Sequence, residues 1–315
     1  VRNSYMRITL RQLQVFRTVC EQLSYSRTAD LLGLTQPAVS QQIRLLEELV
    51  EEPLFEYIGK KLYLTDAAEH LFRTTNDIFQ RLDELDMQLS ELRGTLKGNL
   101  RIAAESSAKY LLPHILASFQ QRHPDIHSTL NVFNRSQLLK RMNENRDDLV
   151  IMTNVPEELS LEFMPFLKNP IIAVANPRHP LAEQPGPLSL DALPAYTLLS
   201  RENGSGTRKA CEEFFQQKRI HFNHIMEFNS HEAQREGVIA GLGIAFVPRH
   251  CVYRELQDGS IIELPIKAMP LLRSWCLVHP RGKKLSPVAQ ALEDFIREER
   301  QVIRAIAEKF GVNRP

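Results

Sequence analysis

The chain has 315 residues, with 39 basic against 38 acidic side chains and a formal charge of +1. That balance excludes a generic polyanion binder, and four cysteines without a Cys-x-x-Cys pair exclude a zinc or disulfide framework. No apolar run approaches membrane-spanning length and residues 1–5 have no signal-peptide core, so a cytoplasmic protein is expected. Val1 reads as an alternative start, with Met6 another candidate.

Leu10, Leu13, Phe16, Val19 and Leu23 mark a first amphipathic helix. Ser26 is placed to cap a second, Arg27 to Leu32, in which Ala29 permits close helix crossing and after which Gly33 stops the helix. Thr35 then caps a third helix, with Pro37 in its first turn and Val39, Ile43 and Leu46 on its apolar face. The other face carries Gln36, Ser40, Gln41 and Arg44, side chains able to address adenine, either strand, and guanine or phosphate. Residues 53–65 read as two short strands around Gly59-Lys60-Lys61, a wing whose lysines suit phosphate or the minor groove. An ordinary three-helix subdomain with a surface hairpin would share these helices. It is the ordered set of helices, cap and wing that points to DNA binding. The candidate DNA contacts are Ser26, Arg27, Thr35, Gln36, Pro37, Ser40, Gln41, Arg44, Lys60 and Lys61.

Residues 1–44 hold six arginines against Glu21 and Asp30, whereas Glu47, Glu48, Glu51 and Glu52 make the far end of the third helix acidic. Non-specific affinity is therefore expected to be modest, with groove contacts supplying selectivity.

From Ala68 a seam of Ala68, Leu71, Thr75, Ile78, Leu82, Leu85, Leu89 and Leu92 alternates steps of three and four, with charged residues outside it. The pattern predicts a coiled coil over 66–93 rather than a helix lying on its own domain. Two recognition helices about 34 Å apart would then read a two-fold-related site. Gly94 and Gly98 bracket a hinge, 94–98.

Beyond it, strands and helices alternate as in a parallel α/β sheet. Strand Leu100–Ala104, helix Lys109–Arg122, strand Ser128–Phe133, helix Gln137–Asn145 and strand Leu149–Thr153 come first. Ile171–Ala175, Tyr196–Leu199, Arg208–Lys218, Ala233–Ala240 and Ile244–Val247 continue the alternation, closed by Trp275–His279 and a helix near Pro287–Glu299. Residues 99–315 are long for one doubly wound lobe and comfortable for two, with ligand expected beyond the carboxyl ends of the strands. Arg201-Glu202-Asn203-Gly204-Ser205-Gly206-Thr207-Arg208 runs from a strand into a helix and has the chemistry of an anion cradle. Arg208 reads as a bidentate clamp, Ser106-Ser107 as a second helix cap and Ser230-His231-Glu232 as a third donor-bearing edge. A Gly-Ser loop that only turns the chain is the plainer alternative.

Cys20, Cys211, Cys251 and Cys276 are far apart, and Cys211, placed in the first turn after the cradle, reads either as a small buried filler or as a redox thiol. His221 and His224 lack a completing ligand and read as solvated surface. Without a nucleophile elbow, metal motif or dinucleotide fingerprint, neither catalysis, a metal nor a cofactor is expected.

Taken together, these residues resemble the LysR-type transcriptional regulators along essentially the whole chain. Thr35-Gln36-Pro37-Ala38-Val39-Ser40, Pro53-Leu54-Phe55-Glu56 and Leu64-Thr65 are similar to the family's N-terminal signature. His179-Pro180-Leu181-Ala182 and Gly241-Leu242-Gly243-Ile244 are similar to its effector-domain signatures. Thr9-Leu10-Arg11-Gln12-Leu13, Ala108-Lys109-Tyr110-Leu111-Leu112-Pro113, the 201–208 loop and Leu285-Ser286-Pro287 look most like the CbbR branch, which controls operons for carbon dioxide fixation or inorganic-carbon uptake.

The resemblance implies an α/β protein in four parts: a winged helix-turn-helix over 1–65, a coiled-coil linker helix over 66–93, the hinge, and a two-lobed effector domain like a periplasmic binding protein over 99–315. Lobe I would take about 99–166 and 271–315, and lobe II about 167–270. It implies promoter DNA, a homotetramer built as a dimer of dimers, and RNA polymerase as partners. The implied effector is a small anion such as ribulose bisphosphate, phosphoglycolate or NADPH. The candidate effector residues are Ser106, Ser107, Lys109, Asn134, Arg135, Arg201, Ser205, Thr207, Arg208, Ser230, His231 and Glu232. The chain departs from the family near Val50 and at Ala68, where glycine is usual, at Gln41 and Tyr57, where arginine is frequent, and at His231, where the branch commonly has asparagine. The alternatives are a regulator of an unrelated operon with another effector and a free solute-binding protein, which would have no use for residues 1–65.

Overall fold

The computed structural model describes residues 7–93, 95–157, 159–184 and 186–312, and of Glu91 the backbone. Val1, Met6 and the hinge residue Gly94 lie outside the described residues. Two compact units form, one from the chain up to Asp86 with Asn143–Arg146, the other from Met87–Met142 and Asp147 onward.

In the first unit, α1 (Leu10–Gln22) opens with a capping box in which Thr9 and Gln12 satisfy each other's backbone N–H groups. Its buried face is Val15, Phe16, Val19 and Cys20, while Leu10 and Leu23 are exposed, contrary to the expected stripe. Leu23 is the left-handed cap at φ 48°, which turns it out of the helical face. The second helix, α2 (Tyr25–Leu32), is capped by Ser24, not Ser26. The Ser24 hydroxyl accepts from the Arg27 N–H at 3.3 Å, which moves the helix start two residues earlier and leaves Ser26 exposed in its first turn. Gly33, at φ 63°, ends it as expected. Thr35 caps α3 (Gln36–Val50), which buries Val39, Ile43 and Leu46 against Phe16, Val19 and Ala29. The wing pairs β1 (Phe55–Ile58) antiparallel with β2 (Lys61–Leu64). Its tip is Gly59-Lys60, both at positive φ as a two-residue hairpin requires, so Lys61 stands on the returning strand.

The linker helix α4 (Asp66–Glu91) is amphipathic in two directions. Ala68, Phe72 and Thr75 are buried within this unit, and Asn76 donates to the Glu144 carbonyl at 3.1 Å. Leu82, Leu85 and Leu89, with Leu92 just past the helix, are exposed. Ala68 and Thr75 therefore leave the expected seam for the core. A straight helix drifts about 20° per heptad, so a strict seven-residue pattern rotates off one face over three heptads.

The second unit begins with β3 (Gly98–Glu105), a 3₁₀ turn at Ser106–Tyr110 and α5 (Leu112–Arg122). The helix expected from Lys109 starts later because Pro113 is tolerated only in a first turn. Then come β4 (Ile126–Phe133), α6 (Arg135–Asn143) and β5 (Leu149–Met152), with β3 parallel to both strands. The long β6 (Leu161–Ala175) follows, then β7 (Leu198–Arg201), α7 (Gly206–Lys218), β8 (Ile225–Phe228), α8 (His231–Ile239) and β9 (Ile244–Pro248). The chain closes with α9 (Tyr253–Asp258), β10 (Ile262–Glu263), β11 (Leu271–Pro280), α10 (Pro287–Glu298) and α11 (Arg300–Glu308). Sheet order is β4-β3-β5-β11-β6-β9-β7-β8, with β10 beside β6.

The sheet is not wholly parallel as expected. Two parallel sets, β4-β3-β5 and β9-β7-β8, are joined through β6 and β11, which run antiparallel to each other. Each of the two crossing strands enters both cores: Leu167 and Trp275 lie in the first, Ile171 and Leu271 in the second with Phe215 and Phe246. Pro165 and Pro170 hide most of β6 from pattern reading, and the register slips between Trp275 and Cys276, opposite Phe166.

Candidate DNA-reading surface and effector cleft

At the amino end of α3, Gln36, Pro37, Gln41 and Arg44 are exposed and Ser40 is half-buried. The Gln36 side-chain amide donates to the Ser40 hydroxyl at 2.9 Å, fixing both before any ligand arrives. Arg44 pairs with Glu48 at 3.2 Å on the surface, a contact weak enough to exchange for phosphate. A groove of about 470 Å³ runs between the cap Ser24 with Tyr25 and Ser26 of α2, Gln36, and Tyr57, Lys60, Lys61 and Tyr63 of the wing. The two wing tyrosines and Ser24 were missed from sequence. Of these only Tyr63 had a signal, the outward alternation of its strand around the buried Leu62.

In the second unit, the carboxyl ends of β3 and β7 meet. Arg201 ends β7 and is only 2% exposed. Its guanidinium donates to Glu202 at 2.9 Å and reaches the Ser106 hydroxyl at 3.4 Å, a long bond across the two parallel sets. The loop after it packs tightly. Gly204 sits at φ +87°, and a Cβ there would stand 2.7 Å from the Ser136 hydroxyl, so both backbone freedom and close approach require glycine. Ser205 caps α7 through the Arg208 N–H and Thr207 is buried.

Arg208 is already engaged by protein groups and is not held open as a clamp. It donates to Glu212 and Glu227, each at 2.6 Å, and to the Arg201 carbonyl at 3.1 Å. Helical i, i+4 spacing brings in Glu212, while β8 presents Glu227 opposite Ser200. Those bonds, set against partial burial, push the Arg208 pKa upward.

Ser106 and Ser107 do not form a second helix cap: they lie in the 3₁₀ turn, and no side chain caps that turn. Ser107 is buried, and its carbonyl accepts from the His250 Nε2–H at 2.8 Å. Asn134 caps α6 by accepting from the Gln137 N–H at 3.0 Å, and Arg135 donates to the Asn154 carbonyl at 3.1 Å. Ser230 caps α8 through the Ala233 N–H at 3.1 Å. Glu232 receives Lys109 Nζ at 2.6 Å and the Tyr110 hydroxyl at 2.8 Å. Burial works to raise its pKa, but hydrogen bonds from Lys109, the backbone and Tyr110 outweigh it and hold the carboxyl at about 2.

His231 is 2% exposed and neither ring nitrogen has a hydrogen-bond partner. Burial first, then the Arg201 charge, keeps it neutral by lowering its pKa well below the usual range. Burial likewise lowers His250 to about 4. Glu105, Tyr110 and His250 were not among the sequence candidates; an acid closing an apolar strand was the available signal for Glu105. Cys211 lies in the second turn of α7, not the first, and burial pushes its thiol up to about 12, against a reactive thiolate. His221 and His224 are exposed, and no metal-holding cluster occurs among the described residues. No described helix is long and apolar enough to cross a membrane.

Residues 10–69 match the bacterial regulatory helix-turn-helix protein, lysR family, and residues 93–301 the LysR substrate binding domain. A RuBisCO operon transcriptional regulator from Allochromatium vinosum is 40% identical over 93% of this chain and 97% of its own length. The HTH-type transcriptional activator CmpR of Synechocystis is 38% identical over 91% of this chain and 94% of its own. Among solved structures, the Synechocystis CcmR regulatory domain in complex with 2-PG is 33% identical, covering 64% of this chain and 97% of that one at a TM-score of 0.61. Full-length CbnR, solved with its target DNA, is 18% identical at a TM-score of 0.65, covers 92% of this chain and 99% of that one, and speaks for the fold. With both modules matched in order and relatives this similar along nearly its whole length, the chain belongs to the LysR family of bacterial transcriptional regulators.

Proposed function

We propose that this protein is a cytoplasmic regulator of genes for carbon dioxide fixation or inorganic-carbon uptake, switched by a small phosphorylated anion bound in its effector domain. The names of its relatives support the gene set, and 2-PG in the CcmR regulatory domain supports the ligand class. The observation that carries the reading is Arg201. A guanidinium this buried, paired to Glu202 on one side and left with only long contacts to the Ser106 hydroxyl and the Asn229 carbonyl on the other, is a preformed oxyanion receptor. In this reading 66–93 is the dimerisation helix, two dimers form a tetramer, and 99–166 with 271–315 closes on 167–270 around the ligand. Differential affinity for two lobe arrangements then changes the spacing of the DNA-binding heads and access of RNA polymerase. Calorimetry of the full chain with phosphoglycolate, ribulose bisphosphate, NADPH and neutral sugars tests it. At least one anion is expected to bind and no neutral sugar; a neutral sugar binding tightly while every anion fails would overturn the reading.

On DNA, Gln36, Ser40 and Gln41 address base edges, and Lys60, Lys61 and Arg27 phosphate. Gln41→Ala is expected to relax preference at one or two base pairs by about 1 to 3 kcal/mol each, whereas Lys60→Ala weakens all sequences and flattens the salt dependence. Competition binding on single-base operator variants separates the two effects; an unchanged preference profile in Gln41→Ala removes that contact.

A further inference from the structure

Glu105 ends β3 and is 4% exposed. One carboxyl oxygen accepts from the Thr153 hydroxyl at 2.8 Å, and the other, Oε1, has no hydrogen-bond partner. That free oxygen lies against the first residue of the 13-residue helix α7: a Cβ on Gly206 would stand 2.6 Å from it. A carboxyl group from one parallel set thus occupies the amino end of a helix in the other, where backbone N–H groups and the helix dipole favour negative charge. The charges of Arg201 on β7 and Arg135 on α6 act on it, and its own charge reaches the Cys276 thiol on β11.

An ionised Glu105 and a phosphate dianion cannot share this enclosed position without a proton between them, because like charges in one site force one of them to protonate. We propose that Glu105 is the residue that selects the ionic form of the effector, holding a phosphate monoester through one proton shared between a ligand oxygen and Oε1. The shared proton supplies the hydrogen bond that Oε1 lacks, while Arg201 and the amino end of α7 take the remaining negative charge. Burial, which raises the Glu105 pKa, acts in the same direction. The inference rests on the effector reading above and adds a proton to it.

The sign of the linkage follows. Glu105 carries the needed proton below its own pKa, so affinity is flat there. Above that pKa each binding event takes up a proton, and affinity falls toward tenfold per pH unit. Calorimetry with phosphoglycolate from about pH 7 to 9.5, where a phosphate monoester is already a dianion, reads this on the full chain. The wild type is expected to lose affinity across the range, with proton uptake seen by comparing buffers of different ionisation enthalpy. Glu105→Gln, which keeps the shape and supplies a permanent donor, is expected to bind with one affinity throughout and to exceed the wild type at the alkaline end. A flat wild-type profile, or an equal slope in both proteins, overturns the role of Glu105 while leaving the anion site standing. Failure of phosphoglycolate, ribulose bisphosphate and NADPH alike to bind the wild type at any pH overturns both. The buffer comparison needs only the wild type, so binding without proton uptake across the range overturns the proposal even if Glu105→Gln does not fold.

Discussion

Replacing Arg201 by methionine is expected to abolish the response to the effector while sparing basal DNA binding. The guanidinium is the largest charged group buried in the effector module, and charge-assisted hydrogen bonds contribute about 1.5 to 3 kcal/mol each. Losing a two-pronged contact therefore weakens anion binding on the order of a hundredfold or more. Methionine fills similar apolar volume, and the Glu202 side chain left behind is 17% exposed, so water can take over part of its solvation. Calorimetry reads the affinity, thermal melting the fold, and gel-shift titration the basal DNA complex. Arg201→Lys separates charge from geometry: a point charge keeps some attraction but cannot present the planar fork. Wild-type anion affinity in the methionine variant would place the ligand elsewhere. Arg208→Ala is the matched control. Since Glu212 and Glu227 already hold that side chain, its removal is expected to loosen the pairing of α7 with β8 more than it weakens the anion.

A charge in the exposed stripe of α4 is expected to separate the dimer without unfolding either unit. Leu82, Leu85 and Leu89 are 40%, 51% and 45% exposed in the single chain, so a glutamate at 85 is solvated in the monomer and penalised only on association. An uncompensated buried charge costs about 3 to 5 kcal/mol, enough to compete with coiled-coil pairing. Sedimentation of Leu85→Glu at micromolar concentration, with footprinting of a two-half-site operator, is expected to give smaller species and single half-site occupancy. The wild-type assembly persisting unchanged would move the dimer contact to another surface.

Local chemistry made much of this molecule legible. Thr35 at a cap, Gly33 at a left-handed stop, Pro37 in a first turn and the spacing of Val39, Ile43 and Leu46 each act through the nearest few residues, and the winged helix follows from them. The loop from Arg201 to Arg208 was recognisable for the same reason, as a strand end feeding a helix start with glycines between. What could not be read was set by partners distant in the chain. Glu227 engages Arg208 from 19 residues off, and Ser106 meets Arg201 from 95. Glu105 meets the amino end of α7 only because β6 and β11 join the two parallel sets into one sheet. The seam of α4 divides between core and solvent because the packing of the first unit buries Ala68 and Thr75 and leaves Leu82, Leu85 and Leu89 out. Caps, turns and periodicity are short-range energies written in neighbouring residues. Which donor meets which acceptor across a sheet is decided by topology, and a side chain's partner, more than its type, sets what it is free to bind.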